Sequence, residues 1–191
     1  MRGGTPSQNK VLAEGVPLQK PFHIIGLYSA FPGDLVSQAN FYAVGFGAKY
    51  MGRMSSVVDV QLLSGNVNQF GGSGGGGPFL ASARVEGPVQ TGKSSFLVHT
   101  RHSLIERSGP KLLAQQTPYK FYDVTAKYHT QGESNQCSLV GIRTYDRGRL
   151  DPNQNASFRW NNTAFGGECL LFGNTSSQVL DASFGTSRFG N

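Results

Sequence analysis

The run with the sharpest chemical signature is Gly87-Pro88-Val89-Gln90-Thr91-Gly92-Lys93-Ser94, which satisfies the G-x-x-x-x-G-K-S pattern of phosphate-cradling loops. That pattern works only where a strand feeds the loop and a helix follows, so that loop amides and the helix N-terminus surround the phosphates. Phe96, Leu97, Thr100, Leu104 and Ile105 can be laid on one helical face, but Ser94 to Thr100 is a poor helix start with no acidic first turn. The run is therefore expected to be a turn between strands. His99 and His102 are three apart; on a strand they face opposite ways and share no metal. Asp146, Asp151, Asn153 and Asn155 offer calcium-type oxygen ligands, with a polar surface loop as the plainer reading. Asn155, Asn161 and Asn174 sit in N-x-S/T sequons. No Ser/His/Asp, Cys/His or paired-carboxylate arrangement stands out. No catalytic, cofactor-binding or metal-ligating residue is assigned, and no enzyme is expected.

The two cysteines, Cys137 and Cys169, make neither a zinc site nor a disulfide scaffold. Strands near 137–147 and 157–172 place them on neighbouring strands, with the connecting loop centred near Pro152 and Asn153. Positions equidistant from a hairpin turn lie opposite each other, with Cα atoms about 4.5–5.5 Å apart. A disulfide accepts about 4.4–6.8 Å. Cys137 and Cys169 are thus expected to be cross-strand neighbours and are a candidate disulfide.

The elements that must position these residues are mostly strands. Hydrophobic residues make up 38% and charged residues 15%, with 26 glycines, 13 phenylalanines and 7 tyrosines, which disfavours both a helical bundle and a disordered chain. No stretch approaches the roughly 18 apolar residues of a membrane helix. A β-barrel instead spans with strands of about 9–11 residues that are apolar on one face, and these average to the modest mean hydropathy of -0.29. The net charge is +6, but the 17 basic residues are scattered singly along the chain, so no nucleic-acid partner is expected.

Residues 1–66 read as a compact mixed α/β segment. Val11-Leu12 and Val16-Pro17-Leu18 flank a turn at Glu14-Gly15, His23 to Phe31 has helix-like spacing, and Phe41 to Val44 and Ser55 to Leu63 are strand-like. The Gly/Ser run Gly71 to Pro78 marks a change of texture. Beyond it, period-2 alternation recurs, and about six antiparallel strands are expected over 76–190. Phe96, Val98, Leu104, Tyr122, Val124, Tyr128, Leu180 and Phe184 are expected on one face, and Arg84, Glu86, Arg101, Asp123 and Lys127 on the other. Gly87–Lys93, Thr130–Asn135 and Gly173–Ser177 are short turns, while Arg107–Pro118 and Arg147–Asn155 are longer, the habit of outer-membrane barrels, although the alternation also suits an ordinary soluble meander.

Gly4 to Pro17, Pro21-Phe22-His23 and Ser29-Ala30-Phe31 resemble the plug of TonB-dependent outer-membrane receptors. Gly45 to Val60, with Gly52-Arg53, is similar to that plug's closing turn and last strand. Ala83 to Pro88, Ser95 to Val98 with Arg101, and Phe121 to Lys127 look like the first barrel strands. Residues 1–130 carry the likeness. Ala13 and Met51 depart from it, where a larger apolar residue and a glycine are usual. The resemblance implies that 1–66 is the C-terminal part of a plug domain and 67–191 the N-terminal strands of a barrel of about 22 strands. The fold expected is a mixed α/β plug segment followed by antiparallel strands of an incomplete transmembrane barrel.

That family resemblance implies energy-coupled uptake of an unidentified ligand across the bacterial outer membrane, with membrane lipid and the TonB energy-coupling complex as partners. The N-terminus has no apolar signal core, so the chain is expected to be a fragment whose TonB-contact peptide lies elsewhere. Arg2 and Arg53 match plug arginines that pair with carboxylates on the barrel wall, and the cysteine pair would lie near the periplasmic rim. The alternative is a soluble or surface-anchored β-rich binding protein of adhesin type.

Overall fold

A computed structural model describes residues 9–43, 56–113, 118–149, 157–173 and 176–190. Two sheets dominate. The smaller contains β1 (Asn9–Ala13), β2 (Val16–Pro17), β5 (Val36–Tyr42) and β6 (Ser56–Leu62) in the order β2-β1-β6-β5. Strands β1 and β2 form a hairpin closed by Glu14 at φ 53 and Gly15 at φ 77, a tight turn whose left-handed pair twists with the strands. Strand β1 then runs parallel to β6, and β5 antiparallel to it.

The segment His23 to Phe31 is not a helix. Strands β3 (Phe22–His23) and β4 (Tyr28–Ser29) pair antiparallel around a single 3-10 turn, Ile24–Gly26. Gly26 at φ 102 and Ile24 at φ 46 fold the chain back on itself, and His23 supplies no capping hydrogen bond. Its side chain is engaged elsewhere, as described below. The apolar spacing that suggested a helix comes from a hairpin-like bend whose residues point into two different surroundings.

The larger sheet is a meander of seven antiparallel strands, each paired with its sequence neighbours. These are β7 (Gly71–Gly76), β8 (Leu80–Gln90), β9 (Ser94–Ser103), β10 (Tyr119–Gln131), β11 (Asn135–Arg149), β12 (Ser157–Phe172) and β13 (Ser177–Gly190). Seven strands replace the expected six because the Gly/Ser run is itself a strand, with Gly71 opposite Glu86 and Gly76 opposite Ala81. An almost side-chain-free strand carries no alternation to read; its order comes from ladder hydrogen bonds to β8 at the sheet edge. Strand β9 stops at Ser103. Leu104 and Ile105, which continue its alternation in the sequence, instead open α1 (Ile105–Leu112), so Leu104 does not join the outward-facing set.

The small sheet packs against one face of the meander. Ala13, Val16, Leu18, Leu35, Val60 and Leu62 meet Leu97, Val140, Ile142 and Ala164 in one core cluster. The compact Ala13, where a larger apolar residue is usual, is fully buried there. The opposite face of the meander is open. Val85, Val98, Val124, Tyr128, Leu139, Phe165, Leu180 and Phe184 are all exposed, between 37% and 66%. On the same strands Arg101, Asp123 and Lys127 are buried under the small sheet. A band of apolar side chains thus faces outward while Arg101, Asp123 and Lys127 face inward, the reverse of an ordinary soluble sheet.

Candidate functional site

The charges that the meander turns inward form a polar seam with the small sheet, built in three places. At the first, the turn between β1 and β2 presents Glu14, whose Oε1 accepts hydrogen bonds from Lys127 Nζ at 2.8 Å and the Leu62 amide at 2.6 Å. Lys127 Nζ also donates to the Leu62 carbonyl at 2.8 Å. The tight turn fixes the carboxylate, and alternation along β10 fixes the ammonium.

At the second, Asp34 follows Pro32-Gly33 on the small-sheet side. Its carbonyl accepts from Arg84 Nη1 at 3.2 Å, and its carboxylate stands 3.4 Å from His99 Nε2. That approach is close enough for ion pairing but not aligned as a hydrogen bond, and both ring nitrogens of the fully buried His99 lack hydrogen-bond partners. His102, three residues on, points to the exposed face, so the two histidines share no metal.

The third is the most buried. His23 Nδ1 lies 2.8 Å from Asp146 Oδ2, and its Nε2 lies 3.1 Å from Asp123 Oδ2. The imidazole stacks on Phe121 with ring centroids 4.3 Å apart and planes 16° apart. Asp123 Oδ2 also accepts from Arg101 Nε at 2.9 Å, while Arg101 Nη2 donates to the Ser29 carbonyl at 2.7 Å. Asp146 Oδ1 accepts from the Ile24 amide at 3.2 Å, which ties the 3-10 turn to β11. His23 and Asp123 are both fully buried, with Arg101 at 7% and Asp146 at 5%.

Two carboxylates at the two ring nitrogens require both nitrogens to donate, and only the imidazolium does that. Its charge, with that of Arg101, balances Asp123 and Asp146 in a place where an unpaired charge is costly. Burial pushes the His23 imidazole toward neutrality, but the hydrogen bonds and charges of Asp123 and Asp146 outweigh it, so its pKa is raised above the usual 6.5. Beside this cluster, Asn162 Nδ2 donates to the Lys20 carbonyl at 3.2 Å, and Lys20 Nζ sits 3.3 Å from the centroid of the Trp160 ring.

The structure redistributes the sequence candidates. Arg2 and Arg53 lie outside the described residues. Within these, the small-sheet side supplies Glu14, Asp34 and His23, while the meander supplies Arg84, Arg101 and Lys127 along with Asp123 and Asp146. Asp146 belongs to β11 and faces inward, not to a calcium-type loop, because alternation from Ile142 and Thr144 carries it to the buried face. Asp151, Asn153 and Asn155 lie outside the described residues. Gly87 to Ser94 is a hairpin: Gly92 at φ 74 turns the chain, and a side chain at Gly87 would strike the Phe70 ring. Cys137 and Cys169 face each other in the register of β11 and β12, 4.1 Å apart at Cα, with their sulfurs bonded. Among the described residues, no group of three His, Cys, Asp or Glu side chains is placed to hold a metal ion.

His23 escaped the sequence reading because its partners are 100 and 123 residues away. The one available signal was charge on the inward period of a strand, which did single out Arg101, Asp123 and Lys127.

No family model matches the sequence, and no curated protein matches it. Among solved structures, the chain is similar to the siderophore receptor PirA from Acinetobacter baumannii, with TM-score 0.68 and 12% identity, over 99% of this chain and 33% of that one. It is also similar to the siderophore receptor PirA from Pseudomonas aeruginosa, with TM-score 0.65 and 13% identity, over 99% of this chain and 34% of the other. The chain therefore spans about a third of the length of the structures it matches and has the fold of that third. This agrees with the receptor family that residues 1–130 resemble.

Proposed function

We propose that the chain is a section of a TonB-dependent outer-membrane receptor, with residues 1–66 as the later part of its plug and 67–191 as the first strands of its barrel. The observation that carries this reading is the inverted facing of the meander. An exposed apolar band suits lipid, since a charge there costs about 2–4 kcal/mol at the bilayer midplane, and Arg101, Asp123, Lys127 and Asp146 gather instead in a seam against the small sheet. A soluble adhesin-type module would bury that apolar face and leave the polar one wet.

In this reading the seam is the contact that holds the plug segment to the barrel wall. It lies beside the apolar cluster that Leu97, Val140, Ile142 and Ala164 form with the small sheet, and loosening its polar part exchanges buried hydrogen bonds for water. Movement of the plug on energy coupling would have to break or carry along His23, Glu14 and Asp34. The ligand class we propose is a siderophore, as for the two receptors of similar fold. The expected partners are outer-membrane lipid, the energy-coupling complex and that ligand.

The test is uptake of radiolabelled iron from a siderophore panel by cells expressing the full-length protein, with and without a working TonB system. TonB-dependent uptake of at least one chelate is expected, with the protein in the outer-membrane fraction. Recovery in the soluble fraction, or uptake indifferent to TonB for every chelate, would contradict the reading.

A further inference from the structure

The outward face of the meander is not uniform along the strands. Near the turns at 91–93 and 132–134 and the β12–β13 end it is apolar, with Tyr128, Leu139, Val98, Phe165 and Phe184 in successive rows. Towards the longer connections Tyr122 lies opposite Tyr145, their rings stacked with centroids 5.1 Å apart. One row further out, Lys120 is opposite Arg147 and Arg147 is opposite Arg159. Arg149, opposite Ser157, and Arg188, opposite Asn161, stand on the diagonals. All five side chains are exposed.

Directly opposed like charges destabilise a sheet. Here three adjacent strands carry such a row, and none of the ion pairs among the described residues includes any of its members. The neighbouring carboxylate Asp146 points to the other face. An anion from outside the chain is the simplest remedy for this repulsion.

The gradient fixes what kind of anion. An apolar band, then stacked tyrosines, then basic side chains is the order in which a bilayer passes from hydrocarbon through interface to headgroup. Arg143, opposite Val124, lies nearer the apolar rows, and its stem lets the guanidinium lean towards the tyrosine level.

Resting on the membrane reading above, we infer that Lys120, Arg147 and Arg159, flanked by Arg149 and Arg188, form a docking strip for the phosphate headgroups of lipids in the leaflet at the long-loop end. Arginine suits this role because its planar fork binds phosphate oxygens two at a time.

The test reconstitutes the full-length protein and its Lys120→Gln/Arg147→Gln/Arg159→Gln variant in nanodiscs of phosphatidylcholine with added phosphatidic acid, and reads retained phosphatidic acid by native mass spectrometry. Wild type should retain it, and the triple variant should bind it roughly 100-fold more weakly, whereas Lys93→Gln, at the opposite end, should bind like wild type. Equal retention by wild type and the triple variant would overturn the strip. So would equal binding of inorganic phosphate in detergent, which would mark a free-anion site. Failure of the protein to enter lipid at all would contradict the membrane reading instead. Should the triple variant not fold, Arg147→Lys, which keeps charge but loses the fork, is expected to weaken retention partially; unchanged retention in that variant would remove the role given to the guanidinium.

Discussion

His23 and Asp146 stand 123 residues apart in sequence and 2.8 Å apart in space. The contact joins the two-residue strand β3, paired only with β4, to β11, the fifth of the meander's seven strands. It leaves the other ring nitrogen for Asp123 and the ring face for Phe121. One imidazole thereby ties the β3–β4 pair to two neighbouring strands, β10 and β11.

Replacing His23 should destabilise the packed unit. His23→Gln removes the cation between two buried carboxylates, and breaking a buried charge pair costs about 3–5 kcal/mol. Urea unfolding of the refolded full-length protein, followed by tryptophan fluorescence at pH 6, should show a loss of that order. A loss below about 1 kcal/mol would mean that the cluster is solvated.

The same residue sets a pH dependence. Its folded pKa is raised above the unfolded value of about 6.5, so the folded state holds the proton more tightly. The stabilisation is fully present below the unfolded value and is lost as pH rises through the folded one. The wild-type urea midpoint should fall with pH above about 6.5, and His23→Gln should flatten that part of the profile. A midpoint that rises there, or identical slopes in the two proteins, would contradict the assignment.

Glu14 and Lys127 should prove energetically coupled. Their side chains are 13% and 5% exposed and share the Leu62 backbone as partner. A double-mutant cycle with Glu14→Gln and Lys127→Met should give a coupling of about 0.5–3 kcal/mol. Simple additivity would reduce the contact to a surface ion pair.

The Cys137–Cys169 bond spans 32 residues. Closing a loop of that size stabilises by about 3–4 kcal/mol in the chain-entropy model. Protein purified without reductant should resist alkylation at both cysteines, and dithiothreitol should lower its urea midpoint. Two freely alkylated thiols would leave the strand register intact but remove the crosslink.

What was legible in the sequence follows from the range of the forces involved. The strands β8 to β13, and the facing of β8, β9, β10 and β13, came from period-2 alternation, a local property; the facing of β11 and β12 was ambiguous in the sequence, and the cysteine register came from counting residues about one turn. Gly71–Gly76 carried no pattern because glycine has no side chain to alternate, although its backbone pairs as well as any. His23 to Phe31 misled because a bend with left-handed residues at Ile24 and Gly26 spaces its apolar side chains like a helix. The seam was half readable: the inward charges of β9 and β10 declared themselves, while His23, Glu14 and Asp34 acquire meaning only when the small sheet is docked.

The central claim is that the meander turns an apolar band to lipid and Arg101, Asp123 and Lys127 to the small sheet, and nitroxide labels test it most directly. Labels at Val98, Val124 and Phe165 of the full-length protein in phosphatidylcholine bilayers should collide freely with oxygen and poorly with a water-soluble nickel chelate, while a label at Thr125, on the buried face, should be shielded from both. Strong nickel collision at Val98, Val124 and Phe165 would place that face in water and contradict the account.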